Sequence, residues 1–296
     1  MDAKGTFFCF GLGFSGGIIA DQLKAAGWAV GGTCREPETV RQLNADGILA
    51  HVFDGKQPLK RFDEILTGVT HLLISVPPSS VQGDPVLSCH AKELSELKTL
   101  EWVGYLSTTG VYGDTHGQLV DETAKLMPSS ERSQRRVQAE RDWLDQFKDN
   151  GLPVHIFRLS GIYGPGRSAL DAVRAGKARQ IVKPGHKFSR IHVRDLATVI
   201  KASINHPDPG AIYNLCDNEA APPADVTAYA CELLGLEPPP EVPFDEARES
   251  MSAMALSFWN DNRLVDNTRI KNDLAVELSY PTYREGLRAI LAEESA

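Results

Sequence analysis

Residues 6–16 read TFFCFGLGFSG, and this stretch decides the fold of the chain. The apolar run Thr6–Phe10 is typical of a buried strand, and a helical pattern follows the glycines. A GxGxxG turn between a strand and a helix lets the backbone approach a pyrophosphate, and the helix N-terminus supplies free amides. A purely structural turn is the alternative. The stretch favours a dinucleotide site built from Gly11, Gly13, Phe14, Ser15 and Gly16.

The first 160 residues repeat this alternation of short apolar runs and amphipathic stretches. Such an alternation is typical of βαβ units around a parallel sheet. We therefore predict an α/β fold, a Rossmann-type doubly wound parallel sheet with a small C-terminal substrate lobe. The predicted strands cover residues 6–10, 28–34, 49–52, 71–76, 102–107 and 153–159. The predicted helices cover residues 16–26, 37–46, 85–97 and 131–148.

The sequence pattern changes beyond Gly161, where turns that contain proline and glycine divide the chain into short segments. This change indicates a smaller lobe with long connections. Residues 212–215 are a candidate strand of the main sheet, so the two lobes interleave in sequence. We predict an NAD(P)-binding domain at residues 1–168 plus about 190–216, and a substrate lobe at about 169–189 plus 217–296. The cofactor is expected in the cleft between them.

The chain has a formal net charge of −8, and its lysines and arginines form no basic stripe. We expect no nucleic acid partner, because proteins that bind nucleic acid need such a stripe. No apolar run approaches the roughly 20 residues of a membrane span, and the N-terminus lacks the pattern of a signal peptide. We therefore expect a cytoplasmic protein with no membrane partner. Five widely spaced cysteines without a CxxC pair predict free thiols and no metal site.

Arg35 distinguishes between the two pyridine coenzymes. It follows the second predicted strand, where an arginine meets the 2′-phosphate of NADP and an acidic residue accepts from the ribose hydroxyls of NAD. The neighbouring Glu36 offers the second option. We predict NADP, because a charge-assisted hydrogen bond contributes roughly 1.5–3 kcal/mol. A solvated Arg35–Glu36 pair is the structural alternative.

Other strand ends point to the same crevice, because ligands of open α/β sheets bind beyond the carboxyl ends of the strands. Asp54 follows the third strand and is either a partner of the adenine amino group or an ordinary acidic turn residue. The remaining candidates for cofactor contacts are Ser75, Val76, Pro77, Ser107 and Ser160.

Three motifs carry a resemblance to a known family. They are residues 107–113 (STTGVYG), 158–166 (RLSGIYGPG) and 190–197 (RIHVRDLA). With them the chain resembles the extended short-chain dehydrogenase/reductase family, which includes the NAD-dependent epimerase/dehydratases, and most closely its atypical branch. The resemblance implies a Rossmann domain, NAD(P) as cofactor and a small-molecule substrate. It also implies a homodimer as an option, in which Trp143 and Phe147 either lie in the interface or pack on the sheet.

The catalytic residues of that family are a Ser or Thr at the end of the fifth strand and a Tyr-x-x-x-Lys pair on the next helix. Counting back four residues from Tyr112 places the hydroxyl at Thr108. A glutamate commonly lies four residues after the family's lysine, so Glu140 places the lysine at Arg136 and the tyrosine at Arg132. Both members of the catalytic pair are therefore arginine in this chain.

Arg132 cannot replace the tyrosine as a proton carrier, because the pKa of a guanidinium lies above ~12. Three interpretations stay open: a solvated helix face on which Arg136 pairs with Glu140, two arginines that bind an anionic substrate, and chemistry by another acid–base group. The candidates for that group are Tyr112, Tyr163 and His192. The sequence thus predicts an NADP-dependent oxidoreductase or epimerase with a small anionic substrate. A non-catalytic NADP-binding or redox-sensing protein is the alternative.

Overall fold

The computed structural model describes residues 5–295. Residues 1–4 and 296, which the predicted domain ranges include, lie outside the described residues. The strands in chain order are β1 (Thr6–Phe10), β2 (Ala29–Cys34), β3 (Leu49–Val52), β4 (His71–Ile74), β5 (Trp102–Thr108), β6 (Leu119–Val120), β7 (Val154–Leu159), β8 (Gly161–Tyr163), β9 (Gln180–Val182), β10 (Arg190–His192), β11 (Ile212–Leu215), β12 (Glu241–Pro243) and β13 (Leu264–Val265). The helices are α1 (Phe14–Ala25), α2 (Pro37–Ala45), α3 (Phe62–Ile65), α4 (Pro85–Glu96), α5 (Glu131–Asn150), α6 (Ala169–Arg174), α7 (Val193–Asn205), α8 (Pro223–Leu233), α9 (Phe244–Ala247), α10 (Ala253–Trp259), α11 (Thr268–Asp273) and α12 (Tyr283–Glu294).

Seven strands form one parallel central sheet in the order β11–β7–β5–β4–β1–β2–β3. Strand β1 pairs with β2 on one side and with β4 on the other, and Phe10 is in register with both Thr33 and Ile74. The strand order therefore reverses at β1, and ligands of such sheets bind at this switch point. The predicted α/β class with a Rossmann-type doubly wound sheet is confirmed.

Burial on both faces explains why the central strands are almost wholly apolar. The last four residues of β1 and all of β4 are buried, as expected for a parallel sheet that helices cover on both sides. Phe8, Phe10, Leu72 and Ile74 are at most 2% exposed and belong to one apolar cluster. This layer supports the loops at the carboxyl ends of the strands.

Helix α5 packs its apolar side on the same cluster. Val137 and Trp143 are buried, and Leu144 and Phe147 pack against the cluster. Trp143 is fully buried and stacks on Tyr105. Of the two alternatives for Trp143, the structure therefore has packing on the sheet.

The described chain divides into two compact units. Unit 1 runs to residue 108 and includes residues 131–158 and 197–213. Unit 2 comprises residues 109–130, residues 159–196 and the residues from 214 onward. The segment between β5 and α5, which includes the Thr109–Tyr112 3-10 helix, thus groups with the C-terminal part of the chain.

Unit 2 has its own apolar core. Three two-stranded parallel ladders support it: β8 with β10, β9 with β12 and β6 with β13. Capping boxes at Ser168 and Thr282 satisfy the first amides of α6 and α12. The core side chains include Tyr163, Leu170, Ala230, Tyr283 and Leu287.

No helix among residues 5–295 combines the length and the apolar character that a membrane span requires. Within the same residues, no group of three or more His, Cys, Asp or Glu side chains could hold a metal ion. All five cysteines are free, and Cys9, Cys216 and Cys231 are buried. The prediction of free thiols is confirmed.

Candidate functional site

The turn between β1 and α1 depends on glycine at two positions. Gly11 has a φ of 101°, in the left-handed region that favours glycine. A Cβ atom at Gly16 would overlap with the carbonyl of Gly11, so α1 can lie this close to β1 only without a side chain there. At Gly13, which precedes α1, no atom lies within 4 Å of a hypothetical Cβ. This open space at a helix N-terminus is the room that a pyrophosphate needs.

Thr33 holds the turn in place, a role that was not predicted from the sequence. Its hydroxyl accepts from the N–H of Gly11 at 3.1 Å, and its carbonyl accepts from the N–H of Leu12 at 2.7 Å. Thr33 is fully buried in β2. In the sequence, Thr33 stands out only as a hydroxyl residue near the end of the second strand. Its hydrogen bond to Gly11 depends on the register of β1 and β2.

Ser75 and Val76 lie beside the glycine turn. The N–H of Ser75 donates to the carbonyl of Phe10 at 2.9 Å. The Cγ1 atom of Val76 lies 2.9 Å from the position that a Cβ would occupy on Gly11. Pro77 follows and is exposed. The structure therefore brings the predicted residues after β4 next to the turn.

Arg35 and Asp54 follow the ends of β2 and β3, which are paired strands. Both side chains are exposed. The Oδ1 atom of Asp54 accepts from the N–H of Lys56 at 2.9 Å. Such an Asx-turn is an ordinary use of aspartate, which supports the interpretation of Asp54 as a turn residue.

The hydroxyls of Ser107 and Ser160, two of the predicted cofactor contacts, have partners within the protein. Ser107 lies in β5, is 3% exposed and donates to Oε1 of Glu140 at 2.6 Å. Ser160 follows β7 and donates to the carbonyl of Leu215 at 2.8 Å. Both hydroxyls therefore stabilise the protein itself in this structure.

Arg136 is directed at the sheet. Its Nη1 donates to the carbonyl of Leu106 at 2.6 Å and to the hydroxyl of Tyr105 at 3.2 Å. The guanidinium carbon lies 5.8 Å from the centre of the Tyr105 ring. Arg136 is only 9% exposed. The interpretation in which Arg136 pairs with Glu140 on a solvated face is therefore wrong, because both side chains are buried and have other partners.

Glu140 is the centre of a buried ion pair that was not predicted. Its Oε2 accepts from Nη2 of Arg158 at 2.8 Å, and its Oε1 accepts from Nε of Arg158 at 3.1 Å. The side chains of Glu140 and Arg158 are 2% and 3% exposed. With the hydroxyl of Ser107 they connect α5, β5 and β7. The sequence placed Arg158 in a motif but did not show its partner.

Arg132 lies one turn before Arg136 and remains exposed. Partial burial, followed by the charges of Arg136 and Arg135, lowers the pKa of its guanidinium. Arg135 has an exposed partner in Glu131 at 3.6 Å. The first turns of α5 thus concentrate positive charge. Thr108, the predicted catalytic hydroxyl, is the half-buried last residue of β5.

The three alternative proton carriers are buried in unit 2. The hydroxyl of Tyr112 donates to Oδ1 of Asn214 at 2.7 Å, and the hydroxyl of Tyr163 donates to the carbonyl of Thr282 at 3.4 Å. Burial raises the pKa of Tyr163 well above its usual range. His192 is 1% exposed, and burial lowers its pKa to about 4, so its ring is neutral near pH 7.

His192 is the last residue of β10, and α7 begins at Val193. Its ring lies 3.9 Å from the ring of Tyr280 and 5.2 Å from the ring of Tyr163, measured between ring centres. These contacts are typical of a packed core histidine.

Known proteins share sequence with most of this chain. Residues 87–216 match the model of the NAD dependent epimerase/dehydratase family. Protein YeeZ of Escherichia coli (strain K12) is 30% identical over 280 residues, which cover 92% of this chain and 94% of that protein.

Solved structures resemble the chain over nearly its whole length. A functionally unknown conserved protein from Silicibacter pomeroyi DSS is 46% identical, with a TM-score of 0.89, over 98% of this chain and 99% of that one. The dTDP-glucose 4,6-dehydratase of Bacillus anthracis str. Ames, in complex with NAD, is 17% identical, with a TM-score of 0.79, over 99% of this chain and 97% of that one. At 17% identity the likeness concerns the fold alone.

Proposed function

Since the chain belongs to the NAD-dependent epimerase/dehydratase family, we propose that it is an NADP-dependent oxidoreductase or epimerase that acts on a small anionic substrate. The observation that carries the proposal is the glycine turn. Gly11 and Gly16 set its backbone, and the space at Gly13 adjoins the N-terminus of α1, where no side chain caps the first amides. A pyrophosphate fits such a site because both the amides and the helix dipole favour negative charge.

Arg35 supports NADP over NAD. It is exposed directly after β2, which pairs with β1 in parallel, so it follows the same edge of the sheet as the glycine turn. The guanidinium has the planar geometry that binds a phosphate through two hydrogen bonds. A contribution of roughly 1.5–3 kcal/mol corresponds to about a ten- to 150-fold preference for the phosphorylated coenzyme.

The charges at the start of α5 support an anionic substrate. Arg132, Arg135 and Arg136 lie in the first two turns, where the helix dipole already favours negative charge. Cations at this end of a helix are unfavourable, and burial together with mutual repulsion lowers the pKa of Arg132. A bound carboxylate or phosphate would relieve this repulsion. Arg136, fixed by Leu106 and Tyr105, would then position the anion while Arg132 binds it.

A second candidate function, a non-catalytic NADP-binding or redox-sensing protein, is favoured by one specific observation. Tyr112, Tyr163 and His192 are all buried, and the hydroxyls of both tyrosines donate to partners within unit 2. None of them is therefore available to exchange a proton with a substrate in this structure. A sensor needs coenzyme binding but no proton carrier.

Coenzyme selectivity tests the NADP assignment. We expect NADPH to raise the melting temperature more than NADH does, and Arg35→Ala to remove most of that difference. Arg41→Ala is the matched control, because Arg41 is an exposed arginine on the adjacent α2 whose partner, Glu38, is also exposed. Equal shifts from the two coenzymes, or an unchanged ratio in Arg35→Ala, would defeat the assignment.

Turnover and anion binding separate the enzyme from the sensor. We expect NADPH oxidation, followed by absorbance, with at least one member of a panel of small carboxylates, phosphates and sugar nucleotides. Arg132→Ala should weaken the binding of that substrate and leave NADPH binding unchanged, while Arg141→Ala, an exposed arginine further along α5, should change neither. Tight NADPH binding without turnover on any substrate would support the sensor instead.

A further inference from the structure

Unit 2 contains a cavity of about 360 Å³ that shares no residue with the glycine turn or with α5. Its volume lies within the range of small-molecule pockets, roughly 300–1,000 Å³. The cavity adjoins the starts of α6, α8 and α12, and most of its wall is apolar. The apolar lining includes Ala169, Val226 and Leu287 and the rings of Tyr163 and Tyr283.

Arg190 is a fixed cation in this wall. Its Nη1 donates to the carbonyl of Phe188 at 2.7 Å and to the carbonyl of Ala221 at 2.9 Å. These two bonds orient the planar guanidinium. Its Nε and Nη2 have no hydrogen-bond partner in the part of the chain that the structure describes. Parallel N–H groups of this kind match the two oxygens of a carboxylate.

The charge of Arg190 is incompletely compensated. Burial lowers the pKa of its guanidinium, and the largest opposing influence is the charge of Asp217. No ion pair joins the two among the described residues. Asp217 is 5% exposed, its Oδ2 has no hydrogen-bond partner, and burial raises its pKa to about 7. Asp225 also acts on Arg190 through its charge, but no carboxylate forms an ion pair with the guanidinium among the described residues, so an anionic ligand would offset part of the cost of burying it.

We propose that this cavity is a second binding site, which takes a small organic anion consisting of a carboxylate on an apolar or aromatic body. The carboxylate accepts from the guanidinium of Arg190, and the body packs between the rings of Tyr163 and Tyr283. Arg167, which is exposed, and Asp171 also line the cavity, and Oδ2 of Asp171 accepts from the N–H and the hydroxyl of Ser168. The site differs in chemistry from the glycine turn, which offers backbone amides to a pyrophosphate.

Titration calorimetry of the full chain with benzoate tests this site. We expect saturable binding of benzoate both in the presence and in the absence of NADPH, so a failure of coenzyme binding does not affect the result. Benzamide, a neutral molecule of the same shape, should bind at least tenfold more weakly. Inorganic phosphate at the same concentration should not displace benzoate, because it lacks the apolar body.

Four variants locate the bound benzoate. Arg190→Gln should weaken its binding at least tenfold, and Ala169→Phe, which fills the cavity from the partly exposed start of α6, should abolish binding without removing any charge. Arg179→Gln, which alters an exposed arginine outside the cavity, should have no effect. Arg132→Ala should also leave benzoate binding unchanged, because Arg132 belongs to the separate site on α5.

The opposite results would overturn the proposal. They are the absence of saturable benzoate binding, equal binding of benzamide, displacement by inorganic phosphate, or unchanged binding in Ala169→Phe. Should Arg190→Gln fail to fold, Ala169→Phe and the benzamide comparison still decide the matter, because neither removes the hydrogen bonds of Arg190 to Phe188 and Ala221.

Discussion

The glycine turn and the first turns of α5 both lie where the resemblance places motifs of the family. They differ in how closely the residues of this chain match those motifs. At the turn, the backbone requirements are met: Gly11 has a positive φ and Gly16 allows α1 to lie against the carbonyl of Gly11. At α5, Arg132 and Arg136 stand where the resemblance places the catalytic tyrosine and lysine, and Arg136 donates to partners in β5.

Coenzyme binding and proton transfer place different requirements on the sequence. The geometry for a coenzyme depends on the backbone, which Gly11 and Gly16 define. Proton transfer depends on particular side-chain atoms with a suitable pKa, and a guanidinium cannot supply them. Coenzyme binding and proton transfer therefore depend on different features of a chain, and the following measurements test how separate they are here.

Breaking the buried ion pair of α5 should have the largest effect. We expect Glu140→Gln to reduce the free energy of unfolding by about 3–5 kcal/mol, because it removes the carboxylate that pairs with the buried guanidinium of Arg158. Glu131→Gln, on the same helix, removes a 90% exposed partner of Arg135 and should cost less than about 1 kcal/mol. Urea denaturation measures both values, and similar losses in the two variants would show that α5 does not depend on the Glu140 network.

A side chain at Gly16 should affect the turn almost as strongly. We expect Gly16→Val to lower the free energy of unfolding by about 2–3 kcal/mol through overlap with the backbone of Gly11, and to abolish the thermal shift with NADPH. Gly17→Ala is the matched control, since a Cβ there meets no atom within 4 Å. Normal coenzyme binding in Gly16→Val would refute the claim that backbone contact defines this site.

Removal of the guanidinium at position 136 should have an intermediate effect. Arg136→Met leaves the carbonyl of Leu106 and the hydroxyl of Tyr105 without their donor, which should cost about 1–2 kcal/mol. NADPH should still bind, because the glycine turn shares no residue with α5. Chemical denaturation and coenzyme titration of the same variant check both statements, and a loss of coenzyme binding with unchanged stability would contradict them.

The smallest effect on stability should come from Arg132. It is exposed and lies among like charges, so Arg132→Ala should change the free energy of unfolding by no more than about 0.5 kcal/mol. A stable variant with impaired substrate binding would support different roles for the two arginines, in which Arg132 binds the substrate and Arg136 positions it. A marked loss of stability would instead assign Arg132 a structural role.

The fold was readable from the sequence because it follows from patterns along the chain. The strand Thr6–Phe10, the glycine turn and the helix that begins at Glu131 all lie where the sequence pattern predicts them. The partners of polar side chains were not readable, because they depend on which strands become neighbours. Thr33 reaches Gly11 through the register of β1 and β2, and Arg158 reaches Glu140 across β7 and α5. No local spacing encodes either contact.

Helical spacing even suggested the wrong partner. Arg136 and Glu140 are four residues apart, which favours a pair on an exposed helix face. Both side chains face the sheet, however, and each bonds to a residue of a different strand. The spacing correctly places Arg136 and Glu140 on one face of α5. Which contacts that face makes depends on its burial against the sheet.

Titration calorimetry with NADPH and NADH on the purified chain tests the central claim most directly. We predict saturable binding of one coenzyme per chain, with NADPH bound about ten- to 150-fold more tightly than NADH, and loss of that binding in Gly16→Val. Absence of binding heat with both coenzymes, under conditions in which the protein is folded, would contradict the account.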